Sequence, residues 1–352
     1  MQADTREVAP ALAFDVAALA NYLRGRMPDV QGPLQVAQFK GGQSNPTYLL
    51  TAAGGRRFVL RRKPPGKLLP SAHAVDREFR VMQALGQSQV PVPHMQLLCM
   101  DESVIGTPFY LMDFVEGRIL WDPLLPGMQP TERAAIFDEM NRVIAALHRV
   151  DEAALGLGDY GKPGQYIARQ VARWTQQYRA SETERIEAMD KLIDWLPAHI
   201  PPGDETAIVH GDYRLDNVVF HPTEPRILAV LDWELSTLGH PLADFAYHCM
   251  AWRLEPGQFR GLVGGDLAAL GIPSEAEYVA RYCERTQRAP VSPSDWEFYA
   301  AFNMFRLAGI LQGVLARALQ GNASSAQALE AGRRARPLAE AAWAQVERVF
   351  GH

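Results

Sequence analysis

His210-Gly211-Asp212-Tyr213-Arg214-Leu215-Asp216-Asn217 concentrates more chemistry than any other run of this chain, and Leu231-Asp232-Trp233-Glu234 follows it after two short apolar runs. Asp212 leads Asn217 by five residues, and Val218–Phe220 with Ile227–Leu231 reads as a hairpin returning the chain to Asp232. Three oxygen-bearing side chains can then converge on one point. Such a set suits a hard ion: Mg²⁺ keeps several waters and takes one or two protein oxygens plus the phosphates of its substrate. Asn217 and Asp232 are the expected Mg²⁺ ligands. Asp212 is the expected catalytic residue, orienting an alcohol and taking its proton late in a loose phosphoryl-transfer transition state. A carboxylate is too weak a base to ionise an alcohol beforehand. The plain alternative is a loop whose Asp and Asn only cap turns; two such elements in register argue against it.

Around this stretch the composition is ordinary. The 352 residues correspond to about two domains. Lys+Arg 35 against Asp+Glu 40 leave a net charge of −5, without the broad positive field that holds proteins on nucleic acid or anionic lipid. Neither nucleic acid nor a membrane is therefore an expected partner. Hydrophobic residues at 47% and charged residues at 21% argue against disorder. Cys99, Cys249 and Cys283 are too few and too scattered for a disulfide framework or a zinc site, and read as reduced core thiols of a cytoplasmic protein. Met1–Met27 carries acids early and no unbroken apolar run, so neither a signal peptide nor a span is expected there. Val16, Leu19, Ala20, Leu23 and Met27 recur at helical spacing.

From Leu34 to Val115 the pattern is strand-like, with Leu34–Phe39, Thr47–Thr51, Arg57–Arg61, Met95–Met100 and Phe109–Val115 as strands. Ser71 is placed to cap a helix ending at Leu85. After Gly117 helical periods dominate: Thr131–Arg149, Gln165–Tyr178, Glu182–Leu196, Leu242–Trp252, Glu275–Arg285, Ser294–Leu319 and Ser324–Val349. The expected class is α+β: a β-rich unit over 1–115 with about five strands, and a mostly helical unit over 116–352. Gly156-Leu157-Gly158-Asp159-Tyr160-Gly161 matches GxGxxG literally, but it follows a helix and runs into Lys162-Pro163-Gly164, the wrong context for a dinucleotide fingerprint. No GxSxG or HExxH occurs, so serine-hydrolase and zinc-protease readings have no anchor.

The protein-kinase signature spaces its catalytic Asp and Mg²⁺-binding Asn as Asp212 and Asn217 are spaced. The stretch resembles the aminoglycoside phosphotransferase and choline kinase branch of the kinase-like superfamily, whose pattern is HGDxxxxN, then a strand and an Asp. The resemblance implies a bilobal protein-kinase-like fold, with ATP or GTP as phosphate donor and Mg²⁺ as cofactor. It assigns Phe39-Lys40-Gly41-Gly42-Gln43-Ser44-Asn45 to the nucleotide-positioning loop, with Gly41, Gly42, Ser44 and Asn45 at the triphosphate. A simple hairpin turn is the alternative. Glu78 in Asp76-Arg77-Glu78 matches the helix residue that pairs with the phosphate-binding Lys, against an exposed helical Glu. Phe109-Tyr110-Leu111-Met112-Asp113-Phe114-Val115-Glu116-Gly117 looks like the lobe linker, whose backbone at Asp113 and Val115 would read the adenine edge, against an ordinary buried strand running into a turn. Asp244 in Gly239-His240-Pro241-Leu242-Ala243-Asp244 matches the Asp that accepts hydrogen bonds from the HGD backbone, against a first-turn carboxylate that only stabilises a helix N-terminus. His210 reads as a buried scaffold, and Glu234 as either support for the metal or surface.

One departure stands out: the family's Lys is replaced by Arg61 in Phe58-Val59-Leu60-Arg61. A planar fork is not a point charge. Lys63, two residues on along the same strand face, is placed to substitute, and Arg61 or Lys63 is expected at the phosphates; the alternative is that Arg61-Arg62-Lys63 is a solvated strand end. Only eleven residues separate Asp232 from Asp244, too few for an activation segment, so the acceptor is expected to be a small hydroxylated molecule and not a protein. Between Met250 and His352 there are eleven Arg, no Lys and ten carboxylates, a balance that suits an anionic or neutral acceptor better than a polycation. The Gly156–Gly164 run, Arg169-Gln170, Arg173-Trp174 and Arg61-Arg62-Lys63-Pro64-Pro65-Gly66-Lys67 resemble the kinase portion of the acyl-CoA dehydrogenase fusion proteins, which implies a hydroxyacyl-CoA acceptor. The rival readings are a nucleotide-binding pseudokinase or regulatory module, which the Arg61 departure favours, and an aminoglycoside or amino-alcohol kinase. The oligomeric state is left open.

Overall fold

Short apolar runs within 35–62 form strands, and helical periods beyond residue 120 form helices. The computed structural model describes residues 4–28, 30–40, 45–66, 73–256, 260–320 and 326–351. It divides the chain into two units: Met1–Leu120 with Glu152–Gly158 and Asp216–Ser236, and Trp121–Asp151 with Asp159–Leu215 and Thr237–His352. The first unit thus runs beyond residue 115 and takes back two later segments, where the sequence suggests a single boundary. Arg118 makes a β-bridge to Phe220, and Gly117 lies so close to Phe220 O that a Cβ there would overlap it.

In the first unit, six strands form one antiparallel sheet: β1 (Thr5–Arg6), β2 (Gln35–Phe39), β3 (Thr47–Thr51), β4 (Arg57–Arg62), β5 (Met95–Cys99) and β6 (Phe109–Asp113), in the order β1-β2-β3-β4-β6-β5. Short apolar runs in the sequence mark the last five; β1 has two residues, too few to form such a run. Helix α1 (Val16–Arg24) starts at Asp15, whose side chain accepts from Ala18 N. It buries Leu19 and Leu23 against Tyr48, Leu50, Phe58, Leu60, Phe109 and Leu111. Truncating a side chain such as Leu23 to Ala costs roughly 2–5 kcal/mol. Alternation along β4 sends Arg61 to the opposite face from Phe58 and Leu60. Helix α2 (Val75–Leu85) buries Val75, Glu78, Phe79 and Met82. It begins after Ala74, without a side-chain cap; Ser71 lies outside the described residues. The 218–230 hairpin pairs Val218 with Val230.

Among its described residues the second unit is mostly helical, with one antiparallel pair, Ala207–Val209 with Thr237–Gly239. Its helices include α3 (Pro130–His148), α4 (Tyr166–Ala180), α5 (Glu187–Ala198) and α6 (Pro241–Cys249), followed by Glu275–Thr286, Pro293–Leu319, Ala326–Arg333 and Ala335–Phe350. The last two replace one expected helix: Pro337 cannot donate a backbone hydrogen bond, so its position falls in the first turn of a new helix. Pro293–Leu319 is long and apolar enough by composition to cross a membrane, yet 72% of its most apolar window is buried inside the fold. It is the core helix of this unit, apolar on most sides for that reason. Cys99, Cys249 and Cys283 are buried free thiols.

Candidate active site

In the first unit one guanidinium faces three carboxylates. Arg61 Nε lies 3.1 Å from Glu78 Oε2, and its Nη2 donates to Asp232 Oδ1 at 2.7 Å and to Glu234 Oε2 at 3.2 Å. Tyr110 OH donates to Glu78 Oε2 at 3.1 Å, Asn45 Nδ2 donates to Glu78 Oε1 at 2.9 Å, and His73 Nδ1 lies 2.9 Å from Asn45 Oδ1. Against one positive charge stand three negative ones. Burial lowers the Arg61 pKa, but Tyr110, Glu78, Asp232 and Glu234 outweigh it and hold the group protonated. The excess negative charge then falls on the most buried acid. Burial, with Asp232 and Glu234 adding to it against Arg61 and Tyr110, pushes Glu78 up to about 7.

Asp232 leaves its strand with φ +63°, a left-handed conformation that Asp tolerates, and directly precedes the turn Trp233–Leu235. Leu231 N donates to Asn217 O at 2.8 Å, which fixes Asn217 and Asp232 at the same end of the hairpin. An amide oxygen and a carboxylate fit a hard divalent ion that also takes phosphate oxygens. Asp232 would then serve both Arg61 and the ion.

The second unit carries Asp212 on a loop built by Asp244. His210 N and Gly211 N each donate to one Asp244 oxygen at 2.8 Å, and His148 Nε2 lies 3.1 Å from Oδ2. Burial alone would raise Asp244; the His148 bond and the His210 contacts hold it below the usual carboxylate range. Gly211 has φ +84°, open to glycine and costly for any side chain. His210 is buried, and its Nδ1 accepts from Asp212 N at 3.2 Å, the scaffold part expected of it. On Asp212, Oδ1 accepts from Tyr247 OH at 2.6 Å and lies 3.0 Å from Arg214 Nε. Burial, reinforced by Asp212, raises the Tyr247 pKa and keeps it a donor. Arg306 Nη2 donates to Gly211 O at 3.2 Å.

Other expected positions fall as follows. Gly41, Gly42 and Ser44 lie outside the described residues, while Asn45 is buried against Glu78. Lys63 stands beyond the end of β4 with its N–H on Pro108 O, and Arg61 is the group that takes the three carboxylates. Asp113 ends β6; its N–H goes to His94 O and its carboxylate accepts from Gln96 Nε2 at 2.8 Å. Val115 is half-buried just past that strand. Tyr110, His73, Arg214, Tyr247 and Arg306 were not singled out for the site by sequence reasoning. Tyr247 had a usable signal: it lies one helical turn after Asp244 on α6. The GxGxxG match is a turn region, with Gly156 O accepting from Arg80 Nη2.

A mixed sheet-and-helix architecture with a pinned His-Gly-Asp loop and a basic strand residue paired to a helical Glu is that of the kinase-like phosphotransferases. The family model "Phosphotransferase enzyme family" matches residues 35–302, and the chain belongs to that family. It is 51% identical over 344 residues to mouse acyl-CoA dehydrogenase family member 10, covering 97% of this chain but 32% of that protein. The chain therefore spans about a third of that curated relative's length. A solved structure from Ralstonia eutropha JMP134, described provisionally as an aminoglycoside phosphotransferase, is 60% identical with a TM-score of 0.88, covering 96% of this chain and 99% of that one. Choline kinase from Cryptosporidium parvum shares the fold at 12% identity and a TM-score of 0.62, covering 96% and 97% of the two chains.

Proposed function

We propose that this chain transfers the terminal phosphoryl group of ATP or GTP to a hydroxyl of a small molecule, with a hydroxyacyl-CoA as the acceptor. The observation that carries the reading is the Asp212 carboxylate, oriented by Tyr247 and Arg214 on a loop whose backbone Asp244 holds. Asp212 orients the acceptor hydroxyl and receives its proton as the new P–O bond forms and the bond to the leaving nucleoside diphosphate breaks. Arg61 offers a planar fork to phosphate oxygens, kept in place by Glu78. Asn217 and Asp232 would hold Mg²⁺, which when bound neutralises charge on the transferring phosphate. The acceptor assignment follows from the likeness to the kinase part of the acyl-CoA dehydrogenase fusions and from the absence of an acidic bias in the C-terminal helices.

The test is nucleoside diphosphate release and product mass with ATP and GTP across hydroxyacyl-CoA, amino-alcohol and aminoglycoside acceptors. Asp212→Asn should cut turnover by about 10²–10⁴-fold; unchanged turnover sinks the assignment. The second reading, a nucleotide-binding module without turnover, draws on Arg61 being already committed to three carboxylates. It gains if ATP or GTP binds while no acceptor is phosphorylated.

A further inference from the structure

Two arginines of the second unit lie near one indole, and of the others Arg133, Arg149 and Arg169 bind backbone carbonyls without an ion pair among the described residues. Arg253, Arg281, Arg285, Arg288 and Arg336 each bind a carboxylate. Arg306 and Arg173 make no ion pair among the described residues. Both lie instead near one indole: Arg306 Cζ is 5.7 Å and Arg173 Cζ 5.9 Å from the Trp174 ring centre. Arg306 also lies 5.3 Å from the ring of Tyr247, the residue that holds Asp212. Trp174 Nε1 donates to Gln170 Oε1 at 3.2 Å, which fixes the indole.

A guanidinium has five N–H groups in a rigid fork. Arg306 spends one on Gly211 O and is half-buried between two aromatic rings, which cost it water without supplying a counter-charge. A cation so placed gains most from a charged oxygen brought by a ligand. Its bond to Gly211 puts that ligand beside the loop carrying Asp212.

We propose that Arg306 and Arg173, braced on Trp174, bind an anionic oxygen of the acceptor and so select acceptors that carry negative charge. This rests on the phosphotransferase reading and adds the residues that choose the acceptor. The anionic oxygen belongs either to a coenzyme A phosphate or to a free carboxylate, and three acceptors separate these: 3-hydroxybutyryl-CoA, 3-hydroxybutyryl-pantetheine, which keeps the hydroxyl and thioester without phosphate, and 3-hydroxybutyrate.

With Arg306→Gln, KM for the charged acceptor should rise about tenfold or more, with kcat falling by less, and KM for the pantetheine thioester should move much less. Arg306→Lys, which keeps the charge without the fork, should recover part of the loss, and Arg173→Gln should act in the same direction more weakly. An equal rise for charged and uncharged acceptors makes Arg306 a mere brace of the loop and overturns the proposal; no change for either does the same. Binding of coenzyme A and of 3-hydroxybutyrate, followed by tryptophan fluorescence without nucleotide, reads the site apart from turnover. If the wild type phosphorylates nothing, the proposed function fails, while the anion site stands on ligand binding that Arg306→Gln loses and falls if the wild type binds neither ligand.

Discussion

Replacing Asp244 with asparagine changes one oxygen into an amide nitrogen and almost nothing in volume, so it separates two opposed effects. Burying the charge opposes folding, and a neutral amide would relieve that cost. The hydrogen bonds favour folding: Gly211 N on Oδ1, and His210 N with His148 Nε2 on Oδ2. An amide keeps one acceptor oxygen and turns its nitrogen toward a backbone N–H, donor against donor. Asp244 sits below the usual carboxylate range despite burial, so the hydrogen bonds win. Leaving a buried donor unsatisfied costs about 1–3 kcal/mol, and bonds to a charged group are the stronger kind. Asp244→Asn should therefore lose about 2–5 kcal/mol at pH 7. A depressed pKa in the fold contributes stability above the unfolded value, and that contribution is lost as pH falls through the folded one. The gap between wild type and variant should thus narrow below about pH 4. Urea denaturation at pH 7 and in acid reads both numbers. A variant as stable as the wild type at pH 7, or a gap that does not shrink in acid, refutes the reasoning.

Glu78 should show the opposite pH dependence. Its pKa is raised from 4.5 to about 7, so the folded state holds a proton the unfolded chain has released; stability is greatest below the unfolded value and is lost as pH rises through about 7. Glu78→Gln should flatten that slope, worth up to about 3 kcal/mol, in denaturation midpoints between pH 5 and pH 8; an unaltered slope rejects the assignment. Gly211→Ala forces a Cβ into φ +84° and should cost about 1–2 kcal/mol in thermal or urea unfolding. Arg61→Lys replaces a fork that reaches three carboxylates with a single ammonium and should destabilise by about 2 kcal/mol; a more stable variant would show that the excess negative charge matters less than argued.

Much of this was written in local patterns. Strands β2 to β6 follow from short runs of β-branched and large apolar residues, and the Asp212–Asn217 interval needs only spacing to be noticed. The support given by Asp244 was available through family likeness. What escaped depended on distant contacts. Tyr247 lies one helical turn after Asp244, but that spacing does not say what its hydroxyl meets, and only the fold puts it on Asp212. Glu234 is separated from Arg61 by 173 residues, so no local pattern could choose between metal support and surface; it proves to be an ion-pair partner. Lys63 looked interchangeable with Arg61 because period two places both on one strand face, but β4 ends at Arg62.

The path of the chain also limits how the molecule can be dissected. Residues 152–158 and 216–236 return to the sheet-bearing unit, so the backbone passes from one unit to the other at five places. A fragment cut after Leu120 keeps the guanidinium of Arg61 and Glu78 but discards Asp232 and Glu234, together with the hairpin strand bridged to Arg118. Shuffling or expressing that half alone would strand a buried cation with one counter-ion. Exchange of parts between relatives is feasible only if the two distant insertions travel with it.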